Sequence, residues 1–215
     1  MLVTIDTGGT KTLISSFGRD GKMGESIKFP TPGEPAEYAK TIKQVVRERY
    51  GDKKVDAIVM AFPSAIDKGV ALWAPNIGHG WVKVPVYNLL KDILPGVPVL
   101  IENDVNLAGL GEARAMRKVP ESAMYISVST GIGIGIIEDG HIDKAMRKSE
   151  AGHMAIEYNG RVQKYEAFAS GRAIVQVYKK FAREITSKRV WRQIADRISR
   201  GLLVLTPIIQ PEVII

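Results

Sequence analysis

Short apolar stretches joined by glycines open the chain. Residues 2–6 and 11–17 are apolar or alternate between apolar and polar, which predicts two strands joined by "TGGT". Residues 25–29 predict a third strand after the turn-rich stretch "GRDGKMG". The segment is therefore expected to form an antiparallel meander.

The rest of the first half alternates helices with buried strands. Apolar residues at helical spacing predict a helix over residues 36–50, and a short helix is expected near residues 86–94. "VDAIVMAF" and "VPVLIEN" predict buried strands, and the two prolines of "PSAIDKGVALWAP" predict loops and sheet edges between them. Asp104 or Asn106 then caps a helix through "VNLAGLGEARAMRK".

The second half repeats the opening pattern. "SAMYISVSTGIGIGIIEDGHI" predicts strand, glycine turn, strand and hairpin, in the same order as "IDTGGTKTLIS". Helices are expected over residues 166–184 and 188–205, followed by the strand-like "PEVII". The chain is therefore expected to be α/β, with two related lobes, residues 1–105 and 106–215, that enclose a ligand-binding cleft.

Composition narrows the class of protein. The 215 residues are 45% apolar, and no apolar run approaches the roughly eighteen residues that cross a bilayer. The N-terminus has no signal-peptide pattern, so a cytoplasmic location without a membrane partner is expected. The absence of cysteine excludes disulfides and thiolate metal sites.

The net charge of +7 raises the question of nucleic acid. Much of the excess lies late in the chain and is interleaved with apolar residues at helical spacing, which is typical of solvated helix faces. No aromatic platform or known binding motif accompanies it, so no nucleic-acid partner is predicted. The basic residues are Lys179, Lys180, Arg183, Lys188, Arg189, Arg192, Arg197 and Arg200.

The two glycine turns are candidate phosphate sites. A turn rich in Gly and Thr exposes backbone N–H groups that bind phosphate. Either turn alone is equally compatible with a simple tight hairpin. "GTKT" lacks the P-loop pattern, and "GIGIGI" lacks the spacing of the dinucleotide fingerprint. Two strand-turn-strand phosphate loops, one in each lobe, remain as the hypothesis.

Charged side chains adjoin the first turn. Asp6 could hold Mg²⁺ through water, because magnesium prefers one or two carboxylates together with phosphate oxygens. Alternatively, Asp6 caps the turn through its own hydrogen bond. Lys11 reaches either a phosphate or solvent.

Polar groups also cluster where a buried strand meets a helix. "IENDVNLAG" places Asn103 and Asp104 at a position where α/β sheets bind ligands. Asp104 could accept the proton of a substrate hydroxyl that attacks a γ-phosphoryl group, or could simply cap the helix. Glu150, His153 and Glu166 follow the second turn, and such a set suits the several hydroxyls of a sugar.

The order of these motifs resembles the ROK family of sugar kinases and repressors. The motifs are "DTGGTKT", "PSAID", "APNIGHGW", "ENDVNLAGLGEA", "STGIGIGII", "EAGHM", "EAFASGRAI" and "PEVII", and they span essentially the whole chain. The resemblance implies the two-lobed actin-like ATPase (ribonuclease H-like) fold, with a duplicated βββαβαβ unit and an interlobe cleft. It also implies an ATP-dependent hexose kinase that uses Mg²⁺, acts on glucose at the 6-hydroxyl and forms a homodimer.

The resemblance assigns roles to individual residues. Asp104 matches the catalytic base, and Asp6 matches the first residue of the first phosphate loop. The phosphate loops match Asp6, Gly8, Gly9, Thr10, Lys11 and Thr12, and then Thr130, Gly131 and Gly133. The sugar-binding residues match Asn76, Asn103, Asp104, Glu150, His153 and Glu166.

Two departures from the family pattern affect these expectations. Most members carry a cysteine-rich zinc loop after the position of His153, but here the interval is "MAIEYNGRVQKY". No zinc is therefore expected, and packing of Tyr158 and Tyr165 is expected to hold the loop. Family members also continue beyond the position of Ile215 into part of the adenosine pocket. A further segment, a partner or dimerisation is therefore expected to cover this end.

Other functions stay open at this point. A sugar-responsive repressor is disfavoured, because the first strand begins at Leu2 and leaves no room for a helix-turn-helix. A sugar-binding relative without nucleotide affinity is the second alternative. Fructose, mannose and N-acetylhexosamines suit the same polar residues as glucose.

Overall fold

The chain divides into two compact units. The computed structural model describes residues 1–215, and the units are Met1–Asp104 and Val105–Ile215. The first unit contains β1 (Leu2–Thr7), β2 (Lys11–Phe17), β3 (Met23–Pro30), α1 (Pro35–Tyr50), β4 (Ala57–Phe62), β5 (Ile66–Asp67), β6 (Val70–Trp73), β7 (Val82–Val84), α2 (Val86–Leu90) and β8 (Val99–Asn103).

The second unit continues from a helix that begins at the last residue of the first. Its elements are α3 (Asp104–Ala115), β9 (Ser122–Val128), β10 (Ile132–Glu138), β11 (His141–Ile142), β12 (Ala155–Tyr158), β13 (Arg161–Lys164), α4 (Tyr165–Ala169), α5 (Gly171–Tyr178), α6 (Lys188–Ile209) and β14 (Val213–Ile214). Two short 3₁₀ turns lie at Ala151–His153 and Ala182–Glu184.

The first unit is built on a five-stranded sheet of order β3-β2-β1-β4-β8. β1, β2 and β3 pair antiparallel, which confirms the predicted meander. β4 pairs parallel with both β1 and β8. The carboxyl ends of β1, β4 and β8 therefore meet at one edge of the sheet, where open α/β sheets bind ligands.

An aromatic cluster fills the core beneath this sheet. Tyr38 of α1, Phe62 of β4 and Trp81 are all fully buried. The rings of Tyr38 and Trp81 meet edge to face with centroids 5.3 Å apart. Such large side chains dominate core energetics, and truncating one to alanine typically costs about 3–5 kcal/mol.

A small three-stranded sheet lies where the sequence predicted loops and edges. β5, β6 and β7 pair antiparallel through registers such as Ile66 with Ala71 and Trp73 with Val82. The flanking prolines, Pro63 and Pro75, lie outside the ladders, so they do not remove a strand hydrogen bond.

The second unit repeats the opening topology. Its sheet has the order β11-β10-β9-β14, with β9, β10 and β11 antiparallel and β14 parallel to β9. Three antiparallel strands, helices and a strand parallel to the first reproduce the order of β1 to β4. The predicted duplication is thus present as far as βββαβ in this unit.

The prediction of one helix over residues 166–184 is wrong. α4 ends at Ala169, and Ser170 caps α5 by accepting a hydrogen bond from the Ala173 amide. The Gly171 amide instead donates to the Ser129 carbonyl at 2.7 Å. This tertiary hydrogen bond explains the break, because the first residue of α5 is tied to the turn between β9 and β10.

The interval without cysteines forms a β-hairpin of β12 and β13. Asn159 and Gly160 both have positive φ, which is the two-residue turn that such hairpins favour. Tyr158 stacks on Phe168 with centroids 4.4 Å apart, and the Tyr165 hydroxyl donates to the Ile198 carbonyl at 2.6 Å. The expectation that these two tyrosines hold the segment is confirmed.

The late basic residues lie mostly on exposed surfaces, as predicted. Arg197 is the exception, because its guanidinium is half-buried over the rings of Tyr158 and Tyr178. No helix in the structure has both the length and the apolar character that crossing a bilayer requires.

We expect Tyr38→Phe to destabilise the protein by about 1–3 kcal/mol. The Tyr38 hydroxyl and Thr7 Oγ1 form a buried hydrogen bond of 2.6 Å, so the variant leaves the Thr7 hydroxyl without its partner. Urea unfolding of the variant, compared with that of Tyr87→Phe at an exposed position, measures the loss. Equal stability of the two variants would contradict this account.

Candidate functional site

The first glycine loop joins β1 to β2. The Gly8 amide donates to the Lys11 carbonyl at 3.0 Å, whereas the amides of Gly9 and Thr10 donate to no protein group. Neither glycine has a positive φ, so a left-handed turn is not the reason for them. A Cβ on Gly9 would lie 2.6 Å from the Asn76 carbonyl oxygen, so close packing is the reason. The structure thus places Gly9, a predicted phosphate-binding residue, against the backbone of Asn76, a predicted sugar-binding residue.

Asp6 lies in a row of side chains across the first sheet. It pairs with Leu13, which pairs with Lys28, and on its other side it pairs with Ala61, which pairs with Glu102. Paired residues share a face, so Lys28, Asp6 and Glu102 all lie on one face of the sheet.

The environment of Asp6 disfavours its charge. Burial raises the pKa of Asp6 above its usual range, and the positive charge of Lys28 offsets part of that rise. The residue nevertheless reaches solvent. An incompletely compensated carboxylate on the strand that leads into a loop with unused amides is suited to a cation that arrives together with an anion.

Lys11 and Thr12, which the sequence predicts as part of the phosphate loop, are the first two residues of β2 and point to opposite sides of the sheet. Lys11 is exposed, and it shares the face of Asp6 because it lies two residues before Leu13. Thr12 is fully buried, and its hydroxyl lies 2.9 Å from that of Thr31. A phosphate role for Lys11 or Thr12 stays a prediction.

Asn103 and Asp104 lie at the edge where β1, β4 and β8 end. The Asn103 side-chain amide donates to the Ser64 carbonyl at 3.2 Å, which fixes the orientation of its amide plane. The Asn103 backbone amide donates to Glu102 Oε1 at 2.8 Å. Asp104 is the first residue of α3, where the helix dipole favours a negative charge.

The second glycine loop has a related hydrogen-bond pattern. The Ser129 amide donates to the Gly131 carbonyl at 3.0 Å, while the amides of Thr130 and Gly131 donate to no protein group. Gly133 lies within β10, where a Cβ would come 2.7 Å from Val105 Cγ2. Packing against α3 therefore explains Gly133, and its phosphate role stays a prediction.

Predicted sugar residues adjoin this second loop. A Cβ on Gly131 would lie 2.7 Å from Glu166 Oε2, and Glu166 Oε1 is 3.5 Å from His153 Nε2. Both side chains are about one-third exposed. The Glu150 carbonyl accepts the His153 amide at 3.0 Å, which places Glu150 at the start of the same 3₁₀ turn. Carboxylates and an imidazole at this position can bind hydroxyl groups.

The sequence interpretation missed several residues that support the site. Ser64 orients Asn103, and Thr31 contacts the first glycine loop. Asn106, for which the sequence predicts only a helix-capping role, is buried and donates to the Arg147 carbonyl at 2.8 Å. These contacts join positions far apart along the chain, so local patterns carry no signal for them.

The structure contains no group of three or more His, Cys, Asp or Glu side chains that could hold a metal ion. Asp6 is instead a solvent-reaching carboxylate near the end of β1, the strand that leads into the loop with two unused amides. That arrangement fits a magnesium ion held largely by phosphate oxygens and water, because Mg²⁺ usually keeps several waters and takes only one or two carboxylates.

Comparisons with known proteins find the ROK family and proteins named as sugar kinases. The model of the ROK family matches residues 2–215. A "Putative fructokinase" of Bacillus subtilis is 30% identical over 96% of this chain and 74% of its own length. A "Polyphosphate glucokinase" of Mycobacterium tuberculosis is 29% identical over 85% of this chain and 68% of its own. The ROK hexokinase of Thermus thermophilus superposes with a TM-score of 0.71 at 27% identity, over 99% of this chain and 80% of that one.

We expect Gly131→Ala to weaken sugar binding about tenfold to a hundredfold while the fold survives. The new methyl group would displace the Glu166 carboxylate, which is the end of a flexible side chain, and a lost charged hydrogen bond is worth about 1.5–3 kcal/mol. Calorimetry with hexoses measures the affinity. Gly111→Ala is the matched control, because a Cβ there meets nothing within 4 Å. Unchanged affinity in Gly131→Ala would disprove the role of Glu166.

We expect Asp6→Asn to be more stable than the wild type at pH 7. Because burial raises the pKa of Asp6 in the folded state, protonation of Asp6 adds to the free energy of unfolding. This contribution is complete below the unfolded-state pKa and is lost as the pH rises through the folded-state pKa. The advantage of the variant should therefore disappear near about pH 3, below the usual aspartate pKa. Thermal unfolding at both pH values tests this, with Asp52→Asn as the exposed control. Lower stability of Asp6→Asn at pH 7 would refute it.

Proposed function

Because the chain belongs to the ROK family, we propose that it is an ATP-dependent hexose kinase that phosphorylates glucose at the 6-hydroxyl. Its fold is the α/β, actin-like ATPase fold that the sequence motifs predicted. The two relatives and the solved neighbour described above bear sugar kinase names. Glucose is the hexose that we propose as the substrate.

One observation in the first unit supports the proposal most directly. The unused amides of Gly9 and Thr10, the carboxylate of Asp6 and the Asn103–Asp104 pair all lie at the ends of strands that meet at one sheet edge. Backbone amides bind phosphate, and a carboxylate at a helix N-terminus is available to accept a proton. Phosphoryl transfer to a hydroxyl requires both functions.

The proposed reaction assigns a role to each group. Asp104 accepts the proton of the sugar 6-hydroxyl as its oxygen attacks the γ-phosphorus, and the bond from phosphorus to the β,γ-bridging oxygen breaks to release ADP. The first glycine loop binds donor phosphates through Gly9 and Thr10, and Lys11 adds positive charge. Asp6 would hold Mg²⁺ through water, and the ion would neutralise phosphate charge when bound.

Roles are also proposed for residues of the second unit. Thr130 and Gly131 offer amides to phosphate, and Glu150, His153 and Glu166 bind sugar hydroxyls. In the first unit, Asn76 and Asn103 are proposed to bind sugar hydroxyls. Loss of one charged hydrogen bond to a sugar hydroxyl is expected to weaken binding by about 1.5–3 kcal/mol.

Two alternatives follow from specific observations. The relative named as a putative fructokinase favours fructose as the acceptor, and the relative named as a polyphosphate glucokinase favours polyphosphate as the donor. Besides these two, the chain could be a sugar-binding protein without kinase activity. Only a direct activity measurement separates that function from a kinase.

We expect sugar-dependent ADP release with Mg-ATP, reduced about 10²- to 10⁴-fold in kcat by Asp104→Asn, which is the range for loss of a general base. The panel includes glucose, fructose, mannose and N-acetylmannosamine, with polyphosphate as a second donor. Asp52→Asn is the matched control, since it changes an exposed aspartate of the same unit. Phosphorus NMR of the product identifies the hydroxyl that is modified.

Three results would count against the proposal. Turnover on fructose but not on glucose would identify fructose as the substrate. Full activity of Asp104→Asn would show that Asp104 is not the general base. Sugar binding by calorimetry without turnover on any donor would reject the kinase and favour a binding protein.

A further inference from the structure

The first glycine loop is held by a residue outside it. Thr31 follows the last residue of β3, and its backbone amide donates to the Thr10 carbonyl at 3.1 Å. Its hydroxyl donates to the Gly8 carbonyl at 2.8 Å and lies 2.9 Å from Thr12 Oγ1. One side chain therefore contacts Gly8, at the beginning of the loop, and Thr12, at the start of β2.

The donor and acceptor roles in this contact can be assigned. A hydroxyl has one hydrogen, and that of Thr31 is used by the Gly8 carbonyl. The Thr12 hydroxyl must then donate to Thr31 Oγ1. The result is a directed chain from Thr12 through Thr31 to Gly8, and successive hydrogen bonds of this kind reinforce one another.

The orientation of the Gly8 carbonyl fixes the direction of the next amide. In a trans peptide the C=O of one residue and the N–H of the following residue point in opposite directions. The Gly8 carbonyl is directed towards Thr31, so the Gly9 amide is directed away from Thr31. That amide is one of the two in the loop that donate to no protein group.

The segment that carries Thr31 is itself anchored in the core. The indole of Trp81 donates to the Gly33 carbonyl at 2.7 Å. Trp81 is fully buried and packs against Tyr38, whose hydroxyl bonds to Thr7 at the start of the loop. Thr31 therefore lies on a fixed support.

We propose that Thr31 is a positioning residue, which turns the Gly8 carbonyl inward so that the Gly9 amide faces the phosphates of the donor. This inference rests on the proposed function, because it requires the loop to bind donor phosphate. Thr31 itself does not contact the reacting atoms.

Three variants test the proposal. Thr31→Val keeps the branched shape and removes the hydroxyl, whereas Thr31→Ser keeps the hydroxyl and removes the methyl group. Thr4→Val is the matched control, because Thr4 is a half-buried β1 threonine whose hydroxyl donates to the Ser15 carbonyl at 3.3 Å, away from the loop. Calorimetry with Mg-ADP and with hexoses gives the two affinities, and steady-state kinetics gives KM for each substrate and kcat.

We expect Thr31→Val to weaken Mg-ADP binding and to raise the donor KM about tenfold, since a misdirected Gly9 amide loses about one hydrogen bond to a charged phosphate oxygen. Sugar affinity should stay within about twofold, and Thr31→Ser should recover donor affinity to within about threefold, because the hydroxyl is kept. Thr4→Val should bind Mg-ADP as the wild type does. A selective donor defect rescued by serine is not expected from a purely structural role.

Several results would overturn the inference. They are donor affinity in Thr31→Val equal to that in Thr4→Val, an equal loss of donor and sugar affinity, and failure of Thr31→Ser to recover. A wild-type protein that binds no nucleotide would reject the proposed function and the role of Thr31 together. That failure is distinguishable from failure of the Thr31 inference alone, because the unsubstituted protein then already fails to bind Mg-ADP.

Discussion

A loop that keeps its amide hydrogens for a ligand cannot use the same hydrogens to hold its own shape. This constraint governs the first unit. The amides of Gly9 and Thr10 stay unused, so the shape of the loop depends on other contacts. Tyr38 bonds to Thr7 from the core, and the Asn76 backbone packs against Gly9 from outside. The aromatic core therefore bears directly on the position of the loop.

The second unit solves the same problem with a helix terminus. Its loop leaves Thr130 and Gly131 unused, and the Ser129 carbonyl accepts the Gly171 amide at the start of α5. That contact accounts for a helix break which helical periodicity alone does not predict. A Cβ on Gly171 would lie 2.6 Å from the same carbonyl oxygen, so the close approach also requires glycine. Helix geometry is interrupted here in exchange for a fixed loop.

Sequence patterns predicted the elements better than they predicted their supports. The meander, α1 and the buried strands followed from alternation and periodicity, because one face of each packs on a core. The strands β5 to β7 did not, since they are only two to four residues long and show little alternation. The break at Ser170 did not either, since it depends on a contact with the distant Ser129 carbonyl. The motifs predicted which residues belong to the candidate site. They could not show that packing of α3 explains Gly133, or that Thr31 and Ser64 orient neighbouring groups.

The electrostatics of Asp6 favour a donor that brings its own cation. In the proposed kinase, the Asp6 carboxylate repels a phosphate that arrives without a cation, because like charges repel. Lys28 compensates only part of the cost, because burial remains the larger influence on the pKa of Asp6. In the proposed kinase, a magnesium-bound polyphosphate would supply positive charge for the Asp6 carboxylate and negative oxygens for the amides of Gly9 and Thr10. The same carboxylate would therefore select against an uncomplexed anion.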